Sequence, residues 1–153
     1  MKPKLKREFK NKTYFRMGKF PVNYVLDNII DNKDESDIAI NGVNVYMSSQ
    51  RYKLFKYKGI RCIKCGIVGE YFILEQHRQK SAYESKRFHF NLYGIDKNGK
   101  EMLMTKDHII PKSKGGKNGL HNLQPMCMKC NNEKDDKMPK NSNGRKIRWK
   151  KQN

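Results

Sequence analysis

The sequence predicts a small α+β domain closed by a metal, on three observations. Two Cys-x-x-Cys pairs, Cys62-Ile63-Lys64-Cys65 and Cys127-Met128-Lys129-Cys130, hold every cysteine in the chain. Two runs of alternating character are separated by Asp96-Lys97-Asn98-Gly99. Polar segments without helix breakers follow Ser48-Ser49 and start again at Cys127.

The elements follow in chain order. Residues 1–47 read as an arm, basic through Lys2, Lys4, Lys6, Arg7, Lys10, Lys12, Arg16 and Lys19, then acidic through Asp27, Asp31, Asp34, Glu35 and Asp37. Val22, Val25, Leu26, Ile29 and Ile30 fall at helical spacing, so a short helix is expected after Pro21. Residues 48–138 read as the folded module. Ser48 or Ser49 caps a helix through Gln50–Tyr57, and Gly59 ends it. Tyr71–Leu74 is a strand. Phe88, Phe90 and Leu92 alternate with His89, Asn91 and Tyr93, and the chain resumes with Met102–Thr105, so the intervening Asn-Gly marks a hairpin. Lys112–Gly119 is a glycine-rich loop, and a helix runs from Cys127 to about Lys137. Residues 139–153 read as a flexible basic tail around Trp149.

Composition narrows the partners. Hydrophobic residues make up 36 % of the chain, which leaves a thin core and makes a metal staple useful. Net charge is +19, from 34 Lys and Arg against 15 Asp and Glu. Such an excess favours nucleic acid, because each phosphate neutralised releases counterions. No stretch approaches the ~20 apolar residues of a membrane helix. No apolar region follows the charged N-terminus, so a signal peptide is not expected. A reducing cytoplasm is the expected compartment, and there cysteines serve as metal ligands more often than as disulfides.

A two-residue gap lets both sulfurs of a pair face one ion. Two pairs then complete a tetrahedral thiolate site for Zn²⁺. A redox dithiol would need only one pair, and an iron–sulfur cluster is the other alternative. A closed zinc site keeps no open position for chemistry, so Cys62, Cys65, Cys127 and Cys130 receive a structural role.

Between the pairs lie Asp107-His108-Ile109-Ile110-Pro111, Gly115-Gly116 and Asn122-Leu123-Gln124, with Asn131 directly after Cys130. In these elements, their order and their spacing, the chain resembles the HNH endonucleases, the ββα-metal nucleases, over roughly residues 48–137. The resemblance implies a small ββα-metal module stapled by a four-cysteine zinc site. It implies a DNA endonuclease with Asp107 and Asn131 as ligands of a catalytic Mg²⁺ or Mn²⁺, His108 as general base, and Asn122 holding the base in orientation. Products would carry a 5′-phosphate and a 3′-hydroxyl.

Phosphodiester hydrolysis independently asks for a base and a cation. An imidazole suits the first task near neutral pH. Two oxygen ligands plus waters suit Mg²⁺ for the second. Many members carry His where Asn131 stands, and an amide oxygen favours hard ions. Lys112, Lys114 and Lys117 on the loop, and Arg145, Lys146 and Arg148 in the tail, are the expected DNA contacts.

Double-stranded DNA is the expected partner, for a monomer or a homodimer. One active site per monomer means that a double-strand break needs a dimer or two nicks. A free-standing phage or mobile-element enzyme, acting in a bacterial or phage-infected cell, fits the small size. The alternative is a non-catalytic zinc-knuckle protein that binds nucleic acid.

Overall fold

The computed structural model describes residues 13–30, 37–78 and 87–146. The basic residues before Thr13, the acidic residues Asp31, Asp34 and Glu35, and Arg148 and Trp149 lie outside the described residues.

A five-stranded antiparallel sheet organises the chain. Its strands are β1 (Tyr14–Pro21), β4 (Tyr71–His77), β5 (His89–Ile95), β6 (Glu101–His108) and β7 (Leu123–Cys127), neighbours in that order. A separate hairpin joins β2 (Asp37–Ile40) to β3 (Val43–Tyr46). Asn41 and Gly42, both at positive φ, make its two-residue turn. Three short helices complete the fold: α1 (Val22–Asp27), α2 (Gln50–Lys58) and α3 (Met128–Lys134).

Pleat alternation decides which side chains are buried. Phe72 and Leu74 of β4, Phe90 and Leu92 of β5, Met104 of β6 and Met126 of β7 enter one core with Tyr52 and Phe55 of α2. The rings meet edge to face, as Tyr52–Phe72 at 6.4 Å and Phe55–Phe72 at 6.3 Å do, the arrangement aromatic quadrupoles favour. The buried Tyr52 hydroxyl accepts from the Phe90 N–H at 2.8 Å, so its polar atom is satisfied. Val25, Ile40 and Val45, from the stretch read as an arm, join the same core, and β1 pairs with β4 along its length.

A second set of side chains on β1, β4, β5 and β6 forms a polar network. Glu75, fully buried, accepts from Arg16 Nε at 2.9 Å and Asn91 Nδ2 at 2.7 Å, and also from the Tyr93 hydroxyl. Arg16 Nη2 reaches Glu101 at 2.8 Å, and the Tyr71 hydroxyl donates to Glu101 at 2.6 Å. Burial holds the Glu75 carboxyl above its usual range, although these donors pull it back.

The expected helices after Pro21 and Ser49 are present. Ser49 caps α2 by accepting from Arg51 N at 3.2 Å, and Gly59 follows at φ +96. The expected hairpin is β5–β6. The expected order hairpin, loop, helix gains an unexpected member: β7 lies between the loop and α3 and pairs with β6. The fold is therefore sheet-rich. Pro125, inside β7, is tolerated because β7 is an edge strand, and its carbonyl accepts from Ile63 N at 3.1 Å. Residues 140–146 fold back in a tight turn, with Asn141 N donating to Arg145 O at 2.8 Å.

Candidate active site and metal centre

The first Cys pair sits in a turn after α2, where Gly66 N donates to Cys62 O at 3.0 Å and Gly66 has φ +80. The second pair straddles the start of α3. Cys127 is the N-cap, and its sulfur accepts from Cys130 N at 3.4 Å. All four sulfurs lie within 4.8 Å of one another, and Cys65 Sγ is 3.8 Å from Cys127 Sγ. A tetrahedron of ~2.3 Å metal–sulfur bonds places its sulfurs about 3.8 Å apart. The cluster therefore fits a tetrahedral ion. Burial raises the Cys62 thiol, but backbone hydrogen bonds from Cys65, Cys127 and Lys64 outweigh it and bring it down to about 6. Burial and the neighbouring thiols push Cys130 up. Four thiolates in one place require a cation, so the donor set is suited to holding one.

β6, β7 and α3 also build the second site. Asp107 and His108 are the last residues of β6, opposite Gln124 and Leu123. Their side chains find partners in different elements. Asp107, 6 % exposed, accepts from Gln124 Nε2 at 2.8 Å and pairs with Lys134 Nζ at 3.1 Å. Lys134 Nζ also donates to the His108 carbonyl at 2.8 Å. His108 Nε2 lies 2.8 Å from Asn118 Oδ1 on the loop. Asn131 Nδ2 donates to Thr105 Oγ1 at 2.9 Å, which leaves its Oδ1 as an available oxygen. Asp107, His108 and Asn131 line one open cavity of about 310 Å³ with Lys106, Lys112 and Lys134.

Asn122 stands apart from the base. It is buried, and its side chain joins three loop positions: Oδ1 accepts from Ile110 N at 2.9 Å, while Nδ2 donates to Ile110 O at 3.0 Å and Lys117 O at 2.9 Å. It shapes the loop that carries Asn118. Gly116 is required in that loop, because a Cβ there would lie 1.8 Å from the Ile110 carbonyl oxygen.

The expected DNA contacts separate in space. Lys112 lines the cavity, Lys114 is 3.8 Å from Asp136, Lys117 is exposed, and Arg145 and Lys146 occupy the 140–146 turn. Sequence reasoning missed Lys134 and Asn118. Lys134 stands three residues after Asn131 and so shares its helix face, a usable signal. Nothing in the sequence marks Asn118 as the partner of His108.

Lys106 adds to the cationic character of the cavity. Burial lowers its ammonium below the ordinary range, and Arg51 and Lys112 lower it further. The Lys106 ammonium donates to Gln50 Oε1 at 3.1 Å.

Residues 95–146, about a third of the chain, match the family model described as HNH endonuclease. The match contains Asp107, His108, Asn122, the second Cys pair and Asn131, and leaves out Cys62 and Cys65. No curated protein and no solved structure matches the chain. The resemblance to the HNH endonucleases is thereby shown for this segment, and an HNH segment implies a nuclease acting on nucleic acid. Among the described residues no helix is long and apolar enough to cross a membrane.

Proposed function

We propose that the protein is a metal-dependent DNA endonuclease in which His108 is the general base and Asp107 and Asn131 hold the catalytic ion. The observation that carries this reading is an open cavity lined by all three side chains. Asp107 and Asn131 supply a carboxylate and an amide oxygen, a hard donor set that suits Mg²⁺ or Mn²⁺. The ammonium of Lys134 against Asp107 supports a site that stabilises positive charge. Bound there, a divalent ion would supply Lewis-acid stabilisation of the phosphate and the leaving oxygen. His108 would take the proton of the attacking water, and Lys112 and Lys134 would face the phosphate. The four cysteines would hold Zn²⁺ outside the chemistry. Double-stranded DNA is the proposed substrate, and a free-standing phage or mobile-element enzyme the proposed setting.

Plasmid DNA incubated with Mg²⁺ or Mn²⁺ should be nicked or cut, and EDTA should stop the reaction. His108→Ala should lower the rate by about 10²–10⁴-fold, the usual contribution of a general base, with bound zinc and thermal unfolding unchanged. Equal cutting by this variant would remove His108 from the role. Binding of DNA without cleavage under either ion would instead support a non-catalytic zinc-knuckle protein.

A further inference from the structure

We infer that Arg51, Lys106 and Lys112, gathered at the first turn of α2 and the mouth of the cavity, form a second phosphate seat for the DNA strand beside the scissile position. The inference rests on the nuclease reading and adds a binding subsite to it.

Three observations bring these residues together. The Lys106 ammonium is held 3.1 Å from the side-chain oxygen of Gln50, the first residue of α2 and the neighbour of Arg51. Lys106 and Lys112 line the cavity that contains Asp107 and His108. Arg51 lines the adjoining cavity of about 430 Å³ with Ser49, Tyr46 and Arg87. Gln50 Nε2 also donates to the Asn118 carbonyl, so the seat is tied to the loop that pairs with His108.

Their electrostatic setting sets them apart from the cations around them. Lys134 pairs with Asp107, Lys114 with Asp136, Lys64 with Glu133, Arg87 with Asp37 and Arg16 with Glu75. Among the described residues Arg51, Lys106 and Lys112 have no acidic partner within 4 Å. Arg51 spends Nη2 on the Phe90 carbonyl at 3.1 Å, while its Nε is buried without a hydrogen-bond partner. Three mutually repelling cations and an unused donor are stabilised by one missing ingredient, an anion between them. The exposed first-turn N–H groups of the nine-residue α2 add to the attraction. A phosphodiester meets this demand and is continuous with the substrate that fills the neighbouring cavity.

The test is duplex DNA binding by fluorescence anisotropy in EDTA, across a potassium chloride series, on the full chain. Each of Arg51→Met and Lys106→Met keeps an apolar stem and removes one charge. Each should reduce the slope of log affinity against log salt by about 0.9, and the double variant by about twice that. Lys97→Met, on the β5–β6 turn away from the seat, should match the wild type. Zinc content and thermal unfolding verify that each variant is folded. Seat variants with the slope of Lys97→Met overturn the inference, as does a wild type that binds no duplex. Seat variants that lose slope as expected, beside a wild type that cuts nothing with Mg²⁺ or Mn²⁺, support the seat and overturn the nuclease reading.

Discussion

At the scale of single residues, Asn118 and Asn122 exchange the parts the motif implies. Asn122 belongs to the HNH pattern, yet its three side-chain hydrogen bonds go to loop backbone. Asn118 carries the oxygen 2.8 Å from His108 Nε2. An acceptor there fixes the ring with a proton on Nε2 and leaves Nδ1 for a water. Asn118 is therefore proposed as a positioning residue. Asn118→Leu should lower kcat by about 10- to 100-fold, part of what a base contributes, with KM little changed. Asn118→Asp, which keeps an acceptor oxygen, should recover most of that loss. Nitrogen-15 spectra of His108 should report the Nε2–H tautomer in the wild type and its loss in Asn118→Leu. A wild-type Nδ1–H tautomer would reverse the donor and acceptor and end the assignment.

At the scale of elements, the loop between β6 and β7 is held by close approach. The Pro111 carbonyl accepts from Lys114 at 2.9 Å and Gly116 at 3.0 Å, and Gly116 packs against the Ile110 carbonyl. Gly116→Ala should cost about 1–3 kcal/mol in chemical denaturation and lower cleavage, because the backbone must shift. An unchanged denaturation midpoint would show that the loop yields freely.

The elements also show what could be read beforehand. α2 was legible because Ser49 and Gly59 act through local backbone chemistry. The β2–β3 hairpin carried an equally plain Asn41-Gly42 signal that the charge reading of the arm obscured. β7 was hidden because Pro125 argues against a strand, and its pairing with β6 forms only in space. The Arg16–Glu75 pair was illegible for the same reason, since its members lie 59 residues apart. In the site, Asp107, His108 and Asn131 stood out as a spaced set, whereas Lys134 and Asn118 acquire their roles only through contacts.

For the whole molecule, the four-cysteine cluster joins the turn after α2 to the junction of β7 and α3. The binding energy of a structural zinc, about 10–16 kcal/mol in small zinc domains, rivals the whole stability of a domain this size, about 5–15 kcal/mol. Removing the metal should therefore abolish cooperative unfolding rather than shift it. Circular dichroism during chelation, repeated on Cys62→Ser, measures this. A sharp melting transition surviving in the metal-free protein would show that the sheet core suffices alone. Metal content of the native protein should be one zinc per chain, and a lower value would remove the staple.

The same cluster divides the chain's contribution to itself. Residues up to Arg78 hold Cys62 and Cys65, and residues from Arg87 onward hold Cys127, Cys130 and the whole catalytic set. A break between Arg78 and Arg87 would give two fragments, each with half of the ligands. Neither could close the tetrahedron by itself, so their reunion would be read out in metal uptake. The ion thus acts as a coincidence detector, which reports that both halves of the molecule are present.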